Sequence, residues 1–183
     1  MKPILTFCAL ALSTLLFTGC DKVKDLIKVN VTTSVNIDFE IDPMNETAVT
    51  YTDIRANIAN ELDAIIKAEN SELGVENIKS AKVQSCVVTT SATSAADDNF
   101  TALNNLSLAI ESDNKPGYTT YAAITTSPTQ PYSVELPITA NVDLKDYLKG
   151  NTFGYKFTYS GKRKTTTTLQ CRARVTYLLN VGL

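Results

Sequence analysis

The sequence predicts an antiparallel β-sandwich of about seven strands with one amphipathic helix, near residues 52–68. Three observations lead there. Residues 27–41 alternate apolar and polar without a break, several shorter strand-like runs follow at intervals marked by turn residues, and nothing alternates strand with helix as a parallel sheet would. The alternative arrangement for the same pattern is an α+β fold, one curved sheet with the helix packed on it.

Ile27, Val29, Val31, Thr33, Val35, Ile37, Phe39 and Ile41 share one face of the first run. Such alternation marks a half-buried strand. Its length exceeds the usual 3–10 residues, so a bend or bulge is expected near Thr33, where the chain would pass from one sheet to the other. From Ala48 the row reads AVTYTDIRANIANELDAIIKAEN, and Ile54, Ile58, Leu62, Ile65 and Ile66 recur at helical spacing. Thr50 and Asp53 make a capping pair for that helix, and Arg55, Glu61 and Lys67 its polar face.

Further strands are expected over 78–90, 106–112, 118–126, 133–140, 153–160 and 165–181. NKPG at 114–117 suits a type II turn, since Pro and Gly fall in the order that turn requires. Pro137 cannot donate to a ladder and makes its segment an edge strand. Small polar residues over 91–99 read as an exposed loop, and VDLKDYLKG as a helical turn ending before Gly150.

Ahead of all this, Met1 and Lys2 precede an apolar stretch from Ile4 to Phe17, which closes on Thr18, Gly19 and Cys20. A basic start, a short apolar segment and small exit residues describe a secretory signal peptide, too short for a bilayer-spanning helix. Leu16, Thr18, Gly19 and Cys20 resemble the lipobox of bacterial lipoprotein precursors, with Phe17 in the place usually held by Leu. That resemblance implies cleavage before Cys20 and acylation of Cys20, palmitate among the acyl chains. It divides the chain into a signal peptide at 1–19, a lipidated cysteine and tether at 20–26, and one extracytoplasmic domain at 27–183. The last forty residues resemble the C-terminal hairpins of small Bacteroidetes-type lipoproteins. The implied address is the cell envelope, lipid-anchored at the outer membrane.

Seventeen Lys and Arg against 19 Asp and Glu leave a formal net charge of −2, which gives no reason to expect a nucleic-acid partner. Eight of the basic residues fall after Leu144 (Lys145, Lys149, Lys156, Lys162, Arg163, Lys164, Arg172, Arg174), a pattern read as solvated strand faces or as a patch for an anionic surface. Of four cysteines, Cys8 leaves with the leader and Cys20 is the anchor. Cys86 and Cys171 are then expected to form a disulfide, which in the chain-entropy model would stabilise the fold by about 4 kcal/mol.

There is no histidine, which removes Ser-His-Asp and Cys-His catalysis and imidazole metal sites. Ser80 with Lys82 and Ser160 with Lys162 share the spacing of a strand face without any supporting motif. Asp38, Glu40 and Asp42 share a strand face, with Glu46 beyond, and would serve a carboxylate hydrolase or hold Ca²⁺; a solvated strand end accounts for them more simply. Phe153, Tyr155, Phe157 and Tyr159 form an aromatic ladder whose polar opposite face assigns it to the core.

The expected function is therefore a non-enzymatic, lipid-anchored envelope module that binds or scaffolds another component, without a cofactor or metal. The alternative is a small-ligand or glycan-binding lipoprotein, with ligand held between helix and sheet or on Tyr118, Tyr121 and Tyr132. A carboxylate hydrolase ranks third.

Overall fold

A computed structural model describes residues 28–45, 49–91 and 96–183; the leader, Cys20 and Glu46 lie outside the described residues. The strands are β1 (Lys28–Ile41), β2 (Thr50–Ala59), β3 (Ile78–Thr90), β4 (Leu103–Ser112), β5 (Thr119–Ile124), β6 (Ser133–Glu135), β7 (Thr152–Gly161) and β8 (Leu169–Gly182). Two short helices, α1 (Leu62–Glu69) and α2 (Lys145–Leu148), sit in the connections. One sheet has the order β1-β8-β3-β6 and the other β2-β7-β4-β5, with every pairing antiparallel. Eight strands crossing between two four-stranded sheets in this order form a jelly roll, a sandwich of two interlocked Greek keys. The connections after β2, β4 and β6 lie at the end where the chain enters β1, and those after β1, β3, β5 and β7 at the other.

β1 carries no bulge and stays in one sheet, where a bend or bulge with a change of sheet was expected near Thr33. It pairs with β8 in unbroken register from Lys28↔Gly182 to Ile41↔Leu169. The irregularities fall on the far side of β8, in β3, between Ile78 and Ser80 and between Val83 and Ser85. Extra residues there bend and twist β3 locally, while β1 pairs with β8 over its whole length.

The helix is shorter than expected because residues 50–59 are the edge strand β2, paired with β7. The isoleucine spacing misleads: Ile54 points outward and is 53% exposed, while Tyr51, Asp53 and Arg55 turn inward. Tyr51 stacks on Tyr159 with centroids 5.6 Å apart, and Asp53 accepts a hydrogen bond from the Glu40 N–H of β1 at 2.9 Å. Between Arg55 and Ile58 the register shifts, with Asn57 at φ 57°. Asparagine tolerates that left-handed conformation, and the added residue brings Ile58 to the inner face. Helix α1 then starts at Leu62, whose N–H donates to Asn60 Oδ1 at 2.9 Å, and it buries Leu62 and Ile66.

The aromatic ladder is core, as its alternation implies. Phe153, Tyr155, Phe157 and Tyr159 are all buried, and Phe157 stacks on Phe39 of the opposite sheet at 3.6 Å between centroids. Pro137 follows the three-residue edge strand β6, α2 forms ahead of Gly150, and Gly117 takes φ +97°, the conformation that the third position of a type II turn needs.

The 91–99 loop is not wholly exposed. Asp98 is buried, and its Oδ2 accepts from Thr166 N (2.7 Å) and Oγ1 (3.0 Å) and from Thr167 N (2.8 Å) and Oγ1 (2.9 Å). One carboxylate thereby fastens the β3–β4 connection to the β7–β8 connection.

Candidate functional site

The acidic residues at the end of β1, Asp38 and Glu40 with Asp42 just beyond, do not converge on a vacant position. Asp38 makes a two-pronged pair with Arg172, at 2.6 and 3.1 Å, and the arginine's hydrogen bond and charge hold its carboxyl below the usual range. Glu40 accepts from Gln170 at 3.3 Å, and the Asp42 N–H donates to the Tyr159 hydroxyl at 2.9 Å. Both side-chain pairs join residues directly opposite in the β1–β8 register. For Asp38 and Glu40 they are cross-strand pairs on a solvated face. Ser160 is likewise committed, accepting from Asn105 Nδ2 at 2.7 Å, while Lys162 lies beyond the end of β7. Ser80 and Lys82 share a face of β3, opposite Asn180 and Leu178 of β8.

The late basic residues spread over both sheets and both ends. Arg172 is on the outer face of the first sheet, and Lys156 lies over the Tyr118 ring on the second at 4.8 Å. Arg163 donates to the carbonyls of Asp97 and Thr101. Lys145 and Lys149 belong to the α2 turn at the opposite end from Lys162 and Lys164.

Of the three tyrosines expected to face a ligand, the structure withdraws Tyr121, which is fully buried on β5. Its hydroxyl lies in the core near those of Tyr155 and Tyr177, and burial drives all three well above the usual phenol range. Tyr118 is half-buried and occupied by the Lys156 ammonium on its face and by Glu111. Burial first, and Glu111 next, push its pKa up to about 12. Tyr132 alone remains open, 41% exposed in the β5–β6 connection.

The expected disulfide does not form. Cys86 and Cys171 are both free and buried. They lie on adjacent strands, but Cys86 is opposite Val175 and Cys171 opposite Thr90. That four-residue offset separates them by about 13 Å along the strand, against a Cα separation of about 4.4–6.8 Å in disulfides. Burial pushes both thiols up to about 12, leaving almost no thiolate at neutral pH. The protein should therefore migrate identically with and without reductant, and Cys86 and Cys171 should react with Ellman's reagent only after unfolding. Fast labelling of either thiol in the native state would contradict this packing.

A cleft with mixed chemistry opens where β1, the end of β2 and α1 part company. Its volume is about 420 Å³. Val35, Ile58, Leu62, Ile65 and Phe153 give it an apolar floor, and Ser34, Asn36 and Glu61 a polar rim. This is the space between helix and sheet expected for a ligand, and the size lies within the range of roughly 300–1,000 Å³ typical of small-molecule sites. Its residues were not singled out from sequence, because the wall made by Ile58 depends on the β2 bulge. Among the described residues, no group of three or more His, Cys, Asp or Glu is placed to hold a metal ion.

Among the described residues the chain forms a jelly-roll sandwich with an open cleft beside α1. No protein-family model and no curated protein matches the chain. Among solved structures it is similar to turnip yellow mosaic virus, at 12% identity over 85% of this chain and 83% of that one, with a TM-score of 0.32. It is also similar to the decameric BFDV capsid protein (13% identity, 84% of this chain and 99% of that one, TM-score 0.36) and to infectious bursal disease virus Gt strain (12%, 85% and 32%, TM-score 0.41). Likenesses at this level say nothing of function, and the fold assignment rests on the chain's own strand order.

Proposed function

We propose that this chain is a lipid-anchored module of the bacterial cell envelope that binds or scaffolds another envelope component and catalyses no reaction. The observation that carries the reading is the apolar leader closing on Thr18, Gly19 and Cys20, with a short polar tether before the first strand. Two or three acyl chains on Cys20 give stable anchoring where one alone binds only marginally, because each buried methylene contributes about 0.8 kcal/mol. Among the described residues no helix is long and apolar enough to cross a membrane. Full-length protein expressed with labelled palmitate should incorporate the label and sediment with outer membranes, and Cys20→Ser should do neither. Unchanged membrane association of Cys20→Ser would end the proposal. A second reading, a ligand-binding lipoprotein, is favoured by the apolar cleft beside α1.

A further inference from the structure

Four strand edges border the sandwich, and three of them are guarded. The β2 edge carries inward-turned Asp53 and Arg55 and a bulge, devices that discourage strand addition. The β5 edge is covered, since Ala123 N–H donates to the Pro137 carbonyl and Thr139 N–H to that of Tyr121. The β6 edge is only three residues long and is followed by Pro137.

β1 differs. In an antiparallel ladder, alternate residues turn both main-chain groups away from the partner strand. The Glu40 N–H reaches Asp53 and the Asp42 N–H reaches Tyr159, so even-numbered residues of β1 face outward. The carbonyls of Gln170 and Arg172 confirm that parity, because each accepts from β3 instead of β1. With register unbroken, Ser34, Asn36 and Asp38 turn their N–H and carbonyl groups outward as well. Among the described residues those three N–H groups have no acceptor. Ser34 and Asn36 form a wall of the cleft, so a row of main-chain donors and acceptors borders an apolar floor. At the rim stands the Glu61 carboxylate, which makes no side-chain cap bond and no ion pair among the described residues.

We infer that this cleft docks a short extended peptide segment that pairs its main chain with β1 at Ser34–Asp38, turns an apolar side chain onto Ile58 and Phe153, and sets a Lys or Arg against Glu61. Strand addition supplies affinity through main-chain bonds and selectivity through the pocket for alternate side chains. The inference gives the ligand-binding reading a chemical class and does not depend on acylation.

The test uses full-length ¹⁵N-labelled protein in lipid nanodiscs, titrated with a blocked six-residue peptide of alternating Thr and Val carrying one Lys, and with its Lys→Glu counterpart. Saturation with the Lys peptide should shift the Ser34, Asn36 and Asp38 amide resonances and slow their hydrogen exchange. Glu61→Gln should weaken the Lys peptide by up to about fivefold, the most that an exposed ion pair usually contributes, and leave the Glu peptide no weaker. Asn36→Pro removes an outward N–H that the β1–β8 ladder does not use, so the fold should persist while binding is lost. Unshifted β1 amides at saturating peptide would overturn the inference without touching membrane association. So would undiminished binding by a folded Asn36→Pro protein, which would assign the cleft to apolar contact alone.

Discussion

Replacing Phe157 with alanine is expected to cost about 3–5 kcal/mol, the usual range for deleting a buried aromatic ring. The ring is fully buried in the centre of β7 and lies flat against Phe39, 3.6 Å away with 2° between the planes. Because Phe39 is on β1 and Phe157 on β7, the pair joins the two sheets, and neither sheet can close over the void without moving the other. A domain of this size has about 5–15 kcal/mol in all, so the variant should unfold at a far lower denaturant midpoint. Chemical denaturation followed by far-ultraviolet circular dichroism measures it. A loss below about 1 kcal/mol, the range of volume-conserving swaps, would mean that the sheets are not packed through this pair.

The second large effect is expected at Asp98. Removing the carboxylate in Asp98→Ala strands two backbone N–H groups and two hydroxyls of Thr166 and Thr167, and should cost about 2–3 kcal/mol, as for hydrogen bonds to a charged group. The effect depends on pH with a definite sign. Burial alone would raise the Asp98 pKa, but the four donors together outweigh it and hold the group below the ordinary value. A carboxyl depressed in the folded state contributes stability that is complete above its unfolded pKa, near about 3.9, and that fades as pH falls through the folded value. The stability gap between wild type and Asp98→Ala should thus be full at pH 6 and shrink at pH values below about 4. A gap that stays constant down to acid unfolding would show that the loop is fastened by something other than the ionised carboxylate.

What the sequence made legible followed the physics of alternation. The strand expected over 78–90 is β3 to the residue, and the ladder from Phe153 to Tyr159 is buried as its polar opposite face implied. β2 escaped because an edge strand need not hide apolar residues: its inward positions are Tyr51, Asp53 and Arg55, which satisfy each other and β1, while Ile54 faces water. Its isoleucines then fell at helical spacing by way of the bulge at Asn57. The cysteine pair shows a different limit. Sequence placed Cys86 and Cys171 in strands that turn out to be neighbours, but pairing is decided by register, and register comes from contacts between segments distant in sequence. Tyr121 was expected on an exposed surface; it is instead the extra residue of a bulge in β5, lying between Ala122 opposite Leu108 and Thr120 opposite Ala109, and its ring is buried. The cleft was out of reach for a related reason, since it belongs to no single element.

Under the proposed acylation of Cys20, the unbroken length of β1 would also set a stand-off from the membrane. Fourteen residues of extended chain span about 45 Å, and the chain enters at one tip of that rod while Tyr132, Lys162 and Lys164 sit in connections at the other. Held by an acylated Cys20 and a tether of a few residues, such a rod would carry its outer loops well clear of the lipid headgroups. The helix α1 and its cleft would stay on the membrane-facing half, so a large partner and a short peptide could approach the same molecule from different heights.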